Sequence, residues 1–117
     1  MPDKKRPGQK KKNIRMRIFP ESQVAEVTFT LKHSGAHAVY LCGDFNQWTP
    51  GTLPLARSSG GDCWERRLIL PTGVHQYKFV VDGEWMADPA NRREARNSFG
   101  SVNSVLEVPL ARDGVRK

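Results

Sequence analysis

Two tryptophans at turns are the residues of this sequence best suited to chemistry. Trp48 lies in the loop DFNQWTP, and Trp85 follows the Asp82-Gly83 turn. Loops and turns run over the protein surface, where a flat indole ring can contact a ligand. A sugar ring offers a C–H face that prefers an aromatic plane and a hydroxyl rim that prefers amides and cations, so two Trp with Lys78 between them match both. The residues predict an exposed, aromatic-lined binding surface. Burial in the core is the alternative, and it is expected for the mid-strand Trp64.

No constellation for catalysis or metal binding is recognisable in the sequence. The three histidines have no Cys or paired carboxylate at metal-ligand spacing, and the serines of the Gly-containing turns form no nucleophile elbow: His33, His37, His75, Ser34, Ser58 and Ser59. A Gly-rich phosphate loop is absent as well. Asp44, Asp82 and Asp88 each precede a Gly, a Pro or a bend, and they are interpreted as turn formers. We therefore predict no catalytic residue, no metal and no cofactor.

The basic character of the chain is confined to its first residues. Residues 1–17 hold eight basic side chains and one acidic side chain, which accounts for the whole net charge of +7. Residues 1–13, MPDKKRPGQKKKN, combine Pro, Gly and repelling charges without apolar periodicity, which predicts a disordered arm. A solvated tail and a contact with nucleic acid, anionic lipid or an acidic protein remain alternatives. No aromatic residue interleaves these charges, so the arm lacks a stacking platform for single-stranded nucleic acid, which disfavours nucleic acid as its partner.

Short segments of alternating hydrophobicity predict an all-β, antiparallel β-sandwich. In residues 23–32, alternate side chains are apolar, which indicates a strand with one face on a core. Further strands are predicted at 38–43, 53–57, 64–70 and 101–108, and residues 75–92 predict a strand, a tight hairpin and a short return strand. Residues 91–97 are interpreted as one helical turn or an irregular loop. The domain boundaries predicted are an arm at 1–17, a sandwich at 18–110 and a tail at 111–117.

The cysteines and the hydropathy bear on the compartment. Cys42 and Cys63 lack metal-ligand spacing and are interpreted as reduced thiols, although a bridge across neighbouring strands stays open. No run of 18 apolar residues and no charged-then-apolar leader occurs, so we expect neither a membrane span nor a signal peptide. The sequence predicts a cytoplasmic protein.

Three segments carry a resemblance to a known family. They are VYLCGDFNQWTPGTLPL, then LPTGVHQYKFVVDGEWMADPANR, then the closing FGSVNSVLEV. In this order, over residues 26–108, the chain resembles the starch- and glycogen-binding modules of carbohydrate-binding family 48. That family includes the glycogen-binding domain of the AMP-activated protein kinase β subunit and the early-set N-terminal domain of isoamylase and branching enzymes. The resemblance implies an immunoglobulin-like, early-set sandwich that binds an α-1,4-linked glucan.

The resemblance also implies which residues contact the sugar. It assigns six positions: Trp48, Lys78, Trp85, Phe99, Ser101 and Asn103. The two Trp form the stacking pair, and the Lys and Asn contact hydroxyl groups. Ser101 stands where the kinase domain has Thr, and it keeps the hydroxyl. Phe99 stands where that domain inserts a Leu into the curve of the malto-oligosaccharide.

Two functions follow as hypotheses. The first is non-catalytic binding of glycogen, starch or malto-oligosaccharide through the two Trp. The alternative is a protein-interaction or regulatory scaffold that docks a glucan-metabolising enzyme or a kinase, with the basic arm as an electrostatic contact. The partner predicted is therefore an α-glucan and, under the alternative function, a protein as well.

Overall fold

The computed structural model describes residues 14–110, and within that range the chain forms nine β-strands and one short 3₁₀ turn. The strands are β1 (Arg15–Phe19), β2 (Val24–Lys32), β3 (Val39–Gly43), β4 (Ala56–Arg57), β5 (Cys63–Pro71), β6 (Gly73–Val81), β7 (Glu84–Met86), β8 (Glu94–Arg96) and β9 (Val102–Val108). The 3₁₀ turn covers Asp44–Asn46 and follows β3 directly. This turn begins the loop that carries Trp48.

Two antiparallel sheets face each other. The four-stranded sheet has the order β1-β2-β5-β4, and the five-stranded sheet has the order β3-β6-β9-β8, with β7 paired to the end of β6. Consecutive strands change sheet after β2, β3 and β5, as in immunoglobulin-type sandwiches. The predicted all-β antiparallel sandwich is confirmed.

Alternate residues of the longest strands fill the space between the sheets. On β2 these are Val27 and Phe29, and on β6 they are Tyr77 and Phe79; all four are fully buried. The rings of Phe29 and Tyr77 meet edge to face with centroids 5.0 Å apart, which links the two sheets at the centre of the core. Trp64 is 5% exposed and belongs to the same core, as predicted.

The outer face of the five-stranded sheet is also partly covered. Cys42, Val80 and Val105 alternate with core-facing residues and so point away from the core, yet each is buried. Trp85 on β7 is the direct ladder partner of Val80. The outer face of the five-stranded sheet therefore carries a buried apolar patch beneath the loops.

The structure departs from the predicted elements at three places. β1 starts at Arg15, inside the predicted arm, because Met16 and Ile18 alternate with the arginines and pack on the core. β8 replaces the predicted helical turn or loop, because pairing with β9 holds Glu94–Arg96 extended. The strand predicted at 53–57 is reduced to Ala56–Arg57. Predicted arm residues 1–13 and tail residues 111–117 lie outside the described residues.

Neither cysteine of the described chain is bonded. Cys42 lies on β3 and Cys63 on β5, in different sheets, and both thiols are free. Burial raises the pKa of the Cys42 thiol, which keeps it protonated and unreactive. The alternative of a disulfide bridge across neighbouring strands is therefore wrong.

Residues 14–110 contain neither a membrane-spanning helix nor a metal-binding cluster. No helix in this range has the length and apolarity needed to cross a membrane. No three His, Cys, Asp or Glu side chains in the same range gather closely enough to hold a metal ion.

Candidate functional site

A cleft of about 360 Å³ lies on the outer face of the five-stranded sheet. Its lining consists of aromatic, amide, hydroxyl and amino side chains: Trp48, Lys78, Trp85, Asn97, Phe99, Ser101 and Asn103. All six residues assigned by the family resemblance lie together here. Asn97 is the one lining residue that the sequence analysis did not select.

The loop after β3 presents Trp48 in a constrained backbone conformation. Gln47 and Trp48 both have left-handed dihedral angles, with φ of 54° and 55°. Non-glycine residues rarely adopt this conformation, so neighbouring contacts must hold it. The Trp48 N–H donates to the Gly43 carbonyl at 2.9 Å, and the Asn46 Oδ1 accepts from the Gly43 N–H at 3.0 Å. These hydrogen bonds hold the loop backbone at Trp48 in a defined conformation.

The same loop is fastened to β6. One Asp44 carboxylate oxygen accepts the Gln76 backbone N–H at 2.9 Å, and the other lies 3.6 Å from His75 Nδ1. Gly43 allows the close approach to β6, because a Cβ there would lie 2.6 Å from the Gln76 carbonyl oxygen and 2.5 Å from the Phe45 ring. Asp44 therefore anchors the loop, which agrees with its interpretation as a turn former.

The β6–β7 hairpin places Trp85. Asp82 and Gly83 have φ of 49° and 87°, the positive values that a type I′ turn requires in the predicted tight hairpin. The Asp82 carboxylate accepts the N–H groups of His37 and Ala38, each at 2.9 Å, and these hydrogen bonds, from Ala38 first, lower its pKa. Trp85 is 45% exposed, so one part of the indole covers the sheet and the rest faces the cleft.

The β8–β9 hairpin forms the polar wall of the cleft. Lys78 Nζ donates to Ser101 Oγ at 3.0 Å, and Asn97 Nδ2 donates to the same oxygen at 2.8 Å. Asn103 Nδ2 donates to Gln76 Oε1 at 2.9 Å. The side chains of this wall are held by one another, which keeps their hydrogen-bonding groups in place.

Phe99 projects from the tip of this hairpin. It is 91% exposed, more than any other large apolar residue of the described chain. Its backbone N–H donates to Asn97 Oδ1 at 2.9 Å, and Gly100, with φ of 88°, completes the turn. An apolar ring held in water beside two Trp is suited to a ligand with an apolar face.

A buried polar network supports the segment that crosses from β7 to β8. The Tyr77 hydroxyl donates to Asp88 Oδ2 at 2.6 Å and accepts from Asn91 Nδ2 at 3.0 Å. The Asp88 N–H donates to Ser104 Oγ at 2.8 Å. Burial raises the pKa values of both the Tyr77 hydroxyl and the Asp88 carboxyl. The sequence analysis assigned Asp88 only to a turn, and nothing in the sequence pattern points to Tyr77 as its partner.

The lining of the cleft contains few groups that could donate or accept a proton during catalysis. Lys78 is the one ionisable side chain among the seven lining residues. General acid–base catalysis needs a positioned pair of proton donor and acceptor. The lining instead combines aromatic planes with neutral hydrogen-bonding groups.

A family model described as the glycogen recognition site of AMP-activated protein kinase matches residues 25–113. The chain belongs to this family. The match begins at the second residue of β2 and includes every residue that lines the cleft.

Relatives within the glycogen-recognition family are β subunits of the kinase. The pig β-1 subunit is 43% identical over 74 residues, covering 63% of this chain and 57% of the pig sequence. The human β-1 subunit is also 43% identical over 74 residues, covering 63% of this chain and 26% of the human sequence. The human β-2 subunit is 33% identical over 113 residues, covering 92% of this chain and 40% of that subunit. The chain thus spans between about a quarter and three fifths of these relatives' lengths.

Solved structures share the fold of this family member. The enterobactin esterase of Shigella flexneri, in the presence of enterobactin, superposes with a TM-score of 0.74 at 18% identity, covering 89% of this chain and 35% of the esterase. A second structure of the esterase, with 2,3-di-hydroxy-N-benzoyl-serine, gives a TM-score of 0.70 at 20% identity, covering 88% of this chain and 34% of the esterase. At such low identity, the likeness concerns the fold alone.

Proposed function

We propose that this chain is a non-catalytic module that binds α-1,4-linked glucan, such as glycogen, starch or malto-oligosaccharide, in the cleft. One observation carries the proposal: Trp48 and Trp85, from loops 37 positions apart, line the same cleft with Lys78 and Asn103. Membership of the glycogen-recognition family supports the ligand class. The indoles stack on successive glucosyl units, and the polar wall binds their hydroxyl rims.

The site binds weakly on its own. Each stacking contact contributes roughly 0.5–1.5 kcal/mol beyond the buried area, and each exposed hydrogen bond contributes about 1 kcal/mol. Against these stand the lost translational and rotational freedom of the ligand and the ordering of a flexible chain. The expected dissociation constant lies roughly between micromolar and millimolar. Such affinity suffices for a polymer that offers many equivalent sites.

A titration with maltoheptaose tests the proposal. Trp85→Ala and Trp48→Ala should each weaken binding by about tenfold, because each removes a stacking contact of roughly 0.5–1.5 kcal/mol together with the apolar area that the indole buries against the sugar. Calorimetry and retention on amylose measure the affinity independently of the Trp signal, and thermal unfolding shows whether each variant stays folded. Ile69→Ala is the matched control, because Ile69 is an exposed apolar residue of the other sheet. Wild-type affinity in Trp85→Ala would refute the site.

The non-catalytic part of the proposal follows from the lining. Lys78 alone cannot supply both the acid and the base that glycosidic cleavage requires. Prolonged incubation of the protein with maltoheptaose should therefore release no new reducing ends. Release that persists in Lys78→Ala and disappears in Trp85→Ala would place a catalytic group in the cleft and refute this part.

A second candidate function is that of a scaffold for an acidic protein segment. A groove of about 340 Å³ lies on the outer face of the four-stranded sheet, away from the cleft. Three arginines and one glutamate are among its lining residues: Arg15, Met16, Arg17, Glu26, Thr28 and Arg67. Arginine forks favour carboxylates, so the groove complements an acidic chain. A partner bound there would leave the cleft open to glucan.

A labelled hexaglutamate peptide tests the scaffold. Binding should weaken between 20 and 150 mM salt, and charge reversal of Arg17 and Arg67 to Glu should abolish it while maltoheptaose binding persists. Absence of binding to the wild type, or equal binding to the variant, would refute the groove as the docking surface.

We also propose that the module works in the cytoplasm. Cys42 and Cys63 are free thiols, and unpaired thiols persist in reducing compartments. Microscopy of the tagged full-length protein in its native cells is the measurement, and a purely extracellular signal would contradict the proposal.

A further inference from the structure

The Asn97 side chain is fully engaged in hydrogen bonds. Its Oδ1 accepts the backbone N–H groups of Phe99 at 2.9 Å and Ser101 at 3.2 Å. Its Nδ2 donates to Ser101 Oγ at 2.8 Å and to Asn103 Oδ1 at 3.0 Å. A primary amide has two acceptor lone pairs and two N–H groups, so Asn97 has no capacity left for a ligand.

The orientation of this amide follows from its backbone partners. A backbone N–H can only donate, so the atom facing Phe99 and Ser101 must be the oxygen. The Nδ2 group therefore faces the side chains of Ser101 and Asn103. The Asn103 oxygen must then point toward Asn97, which turns the Asn103 Nδ2 toward Gln76 Oε1, 2.9 Å away.

One consequence concerns the Ser101 hydroxyl. Its oxygen accepts two hydrogen bonds, from Asn97 Nδ2 at 2.8 Å and from Lys78 Nζ at 3.0 Å. A hydroxyl has two lone pairs and one hydrogen. With both lone pairs occupied, the hydroxyl hydrogen is left to donate. The exposed Ser101 lies on the cleft wall, where its proton can reach a ligand.

We propose that Asn97 is a positioning residue that sets the hydrogen-bond polarity of the cleft. It makes the Ser101 hydroxyl a donor, so that this wall recognises oxygen atoms of the glucan as acceptors. Lys78 adds two further N–H donors, because only one of its three is used by Ser101. The inference rests on the proposed glucan-binding function. It specifies that this wall of the cleft donates hydrogen bonds and that the glucan oxygen atoms accept them.

Asn97→Asp is the sharpest test. An Asp keeps an oxygen for the N–H groups of Phe99 and Ser101, so the hairpin keeps its shape, but it replaces the Nδ2 donor with a second acceptor. The Ser101 hydroxyl then donates to that carboxylate and is withdrawn from the ligand. We expect maltoheptaose affinity to fall roughly five- to tenfold, as for one lost hydrogen bond, with thermal unfolding close to that of the wild type.

A double-mutant cycle separates this role from a structural one. Ser101→Ala should weaken binding by a similar factor. Asn97→Asp should weaken binding less in the Ser101→Ala background than in the wild type, because part of its effect passes through the Ser101 hydroxyl and only the remainder through Asn103, the other partner of Asn97 Nδ2. Ser98→Ala, in the same exposed loop and outside the cleft lining, is the control.

Each result has a defined meaning. Wild-type affinity in Asn97→Asp, or an equal loss with and without Ser101, overturns the inference. Should Asn97→Asp fail to fold, Ser101→Ala decides alone, and unchanged binding there overturns it as well. If the wild type itself does not bind maltoheptaose, the proposed function fails. If the wild type binds and Trp85→Ala does not, but Asn97→Asp and Ser101→Ala bind normally, only the polarity inference fails.

Discussion

The buried hydroxyl of Tyr77 gives the most quantitative test of how the structure supports the cleft. Tyr77→Phe removes one oxygen from the core and leaves the ring in place. The hydroxyl donates to Asp88 Oδ2 at 2.6 Å, and Asp88 is only 4% exposed. Asn91 Nδ2 keeps a second acceptor, the Val105 carbonyl at 2.9 Å. The substitution therefore leaves one buried carboxylate oxygen without a partner.

The expected loss of stability depends on the charge of Asp88. A hydrogen bond to an ionised group contributes roughly 1.5–3 kcal/mol, and one between neutral groups about 1 kcal/mol. We expect Tyr77→Phe to lower the free energy of unfolding by about 2–3 kcal/mol at pH 8, with Asp88 ionised, and by about 1 kcal/mol at pH 4. For a domain of about 100 residues, the loss at pH 8 corresponds to a melting temperature lowered by roughly 10–15 °C.

The sign of the pH dependence follows from the pKa of Asp88. Burial raises this pKa, and the hydrogen bond from Tyr77 partly opposes the rise. A raised folded-state pKa means that Asp88 favours the folded state most below the unfolded pKa of about 4, and that this contribution is lost as the pH rises to the folded pKa. Without Tyr77 the folded pKa is higher, so the variant loses more stability between pH 4 and pH 8 than the wild type.

Urea unfolding at several pH values, with NMR titration of the Asp88 carboxyl, measures both quantities. A difference of about 1.4 kcal/mol in the destabilisation between pH 4 and pH 8 requires the pKa of Asp88 to be about one pH unit higher in the variant. Tyr40→Phe is the matched control: it lies on the outer face of the same sheet and is expected to cost little at either pH. A destabilisation that is below about 0.5 kcal/mol, or that does not change with pH, would refute the reasoning.

Two further predictions concern the supports of the Trp loops. Gly43→Ala should lower the free energy of unfolding by roughly 1–3 kcal/mol and weaken maltoheptaose binding. A Cβ at this position would lie 2.6 Å from the Gln76 backbone oxygen of β6, which displaces the loop that carries Trp48. Unfolding and titration of the same sample check both effects, and normal binding with normal stability would contradict the prediction. Asp82→Asn should lower the melting temperature near neutral pH and progressively less below pH 4. The pKa of Asp82 is lowered by hydrogen bonds from the Ala38 and His37 N–H groups, so its contribution is present above the unfolded pKa and lost as the pH falls through the folded pKa. Melting curves from pH 2 to pH 7 measure this, and a constant difference would contradict it.

Local patterns were sufficient for most of the fold. Residues 23–32 show a period of two in hydrophobicity, and the Asp82-Gly83 dipeptide specifies a type I′ turn by its tolerance of positive φ, so both features could be predicted without tertiary information. β8 could not, because Glu94–Arg96 has little intrinsic β-propensity and is extended only by pairing with β9. The start of β1 could not be predicted either, because its arginines continue the run of basic residues in the arm.

The sequence by itself determined the sandwich, the hairpin that carries Trp85 and, through three family segments, the six residues that line the cleft with Asn97. Tertiary structure alone decided the hydrogen-bonding roles. Residue types state what an amide, a hydroxyl or a carboxyl can donate or accept, but the choice depends on which groups lie within about 3 Å. Lys78 meets Ser101 only after β6 has paired with β9. Tyr77 meets Asp88 only after the segment beyond β7 has packed against β6.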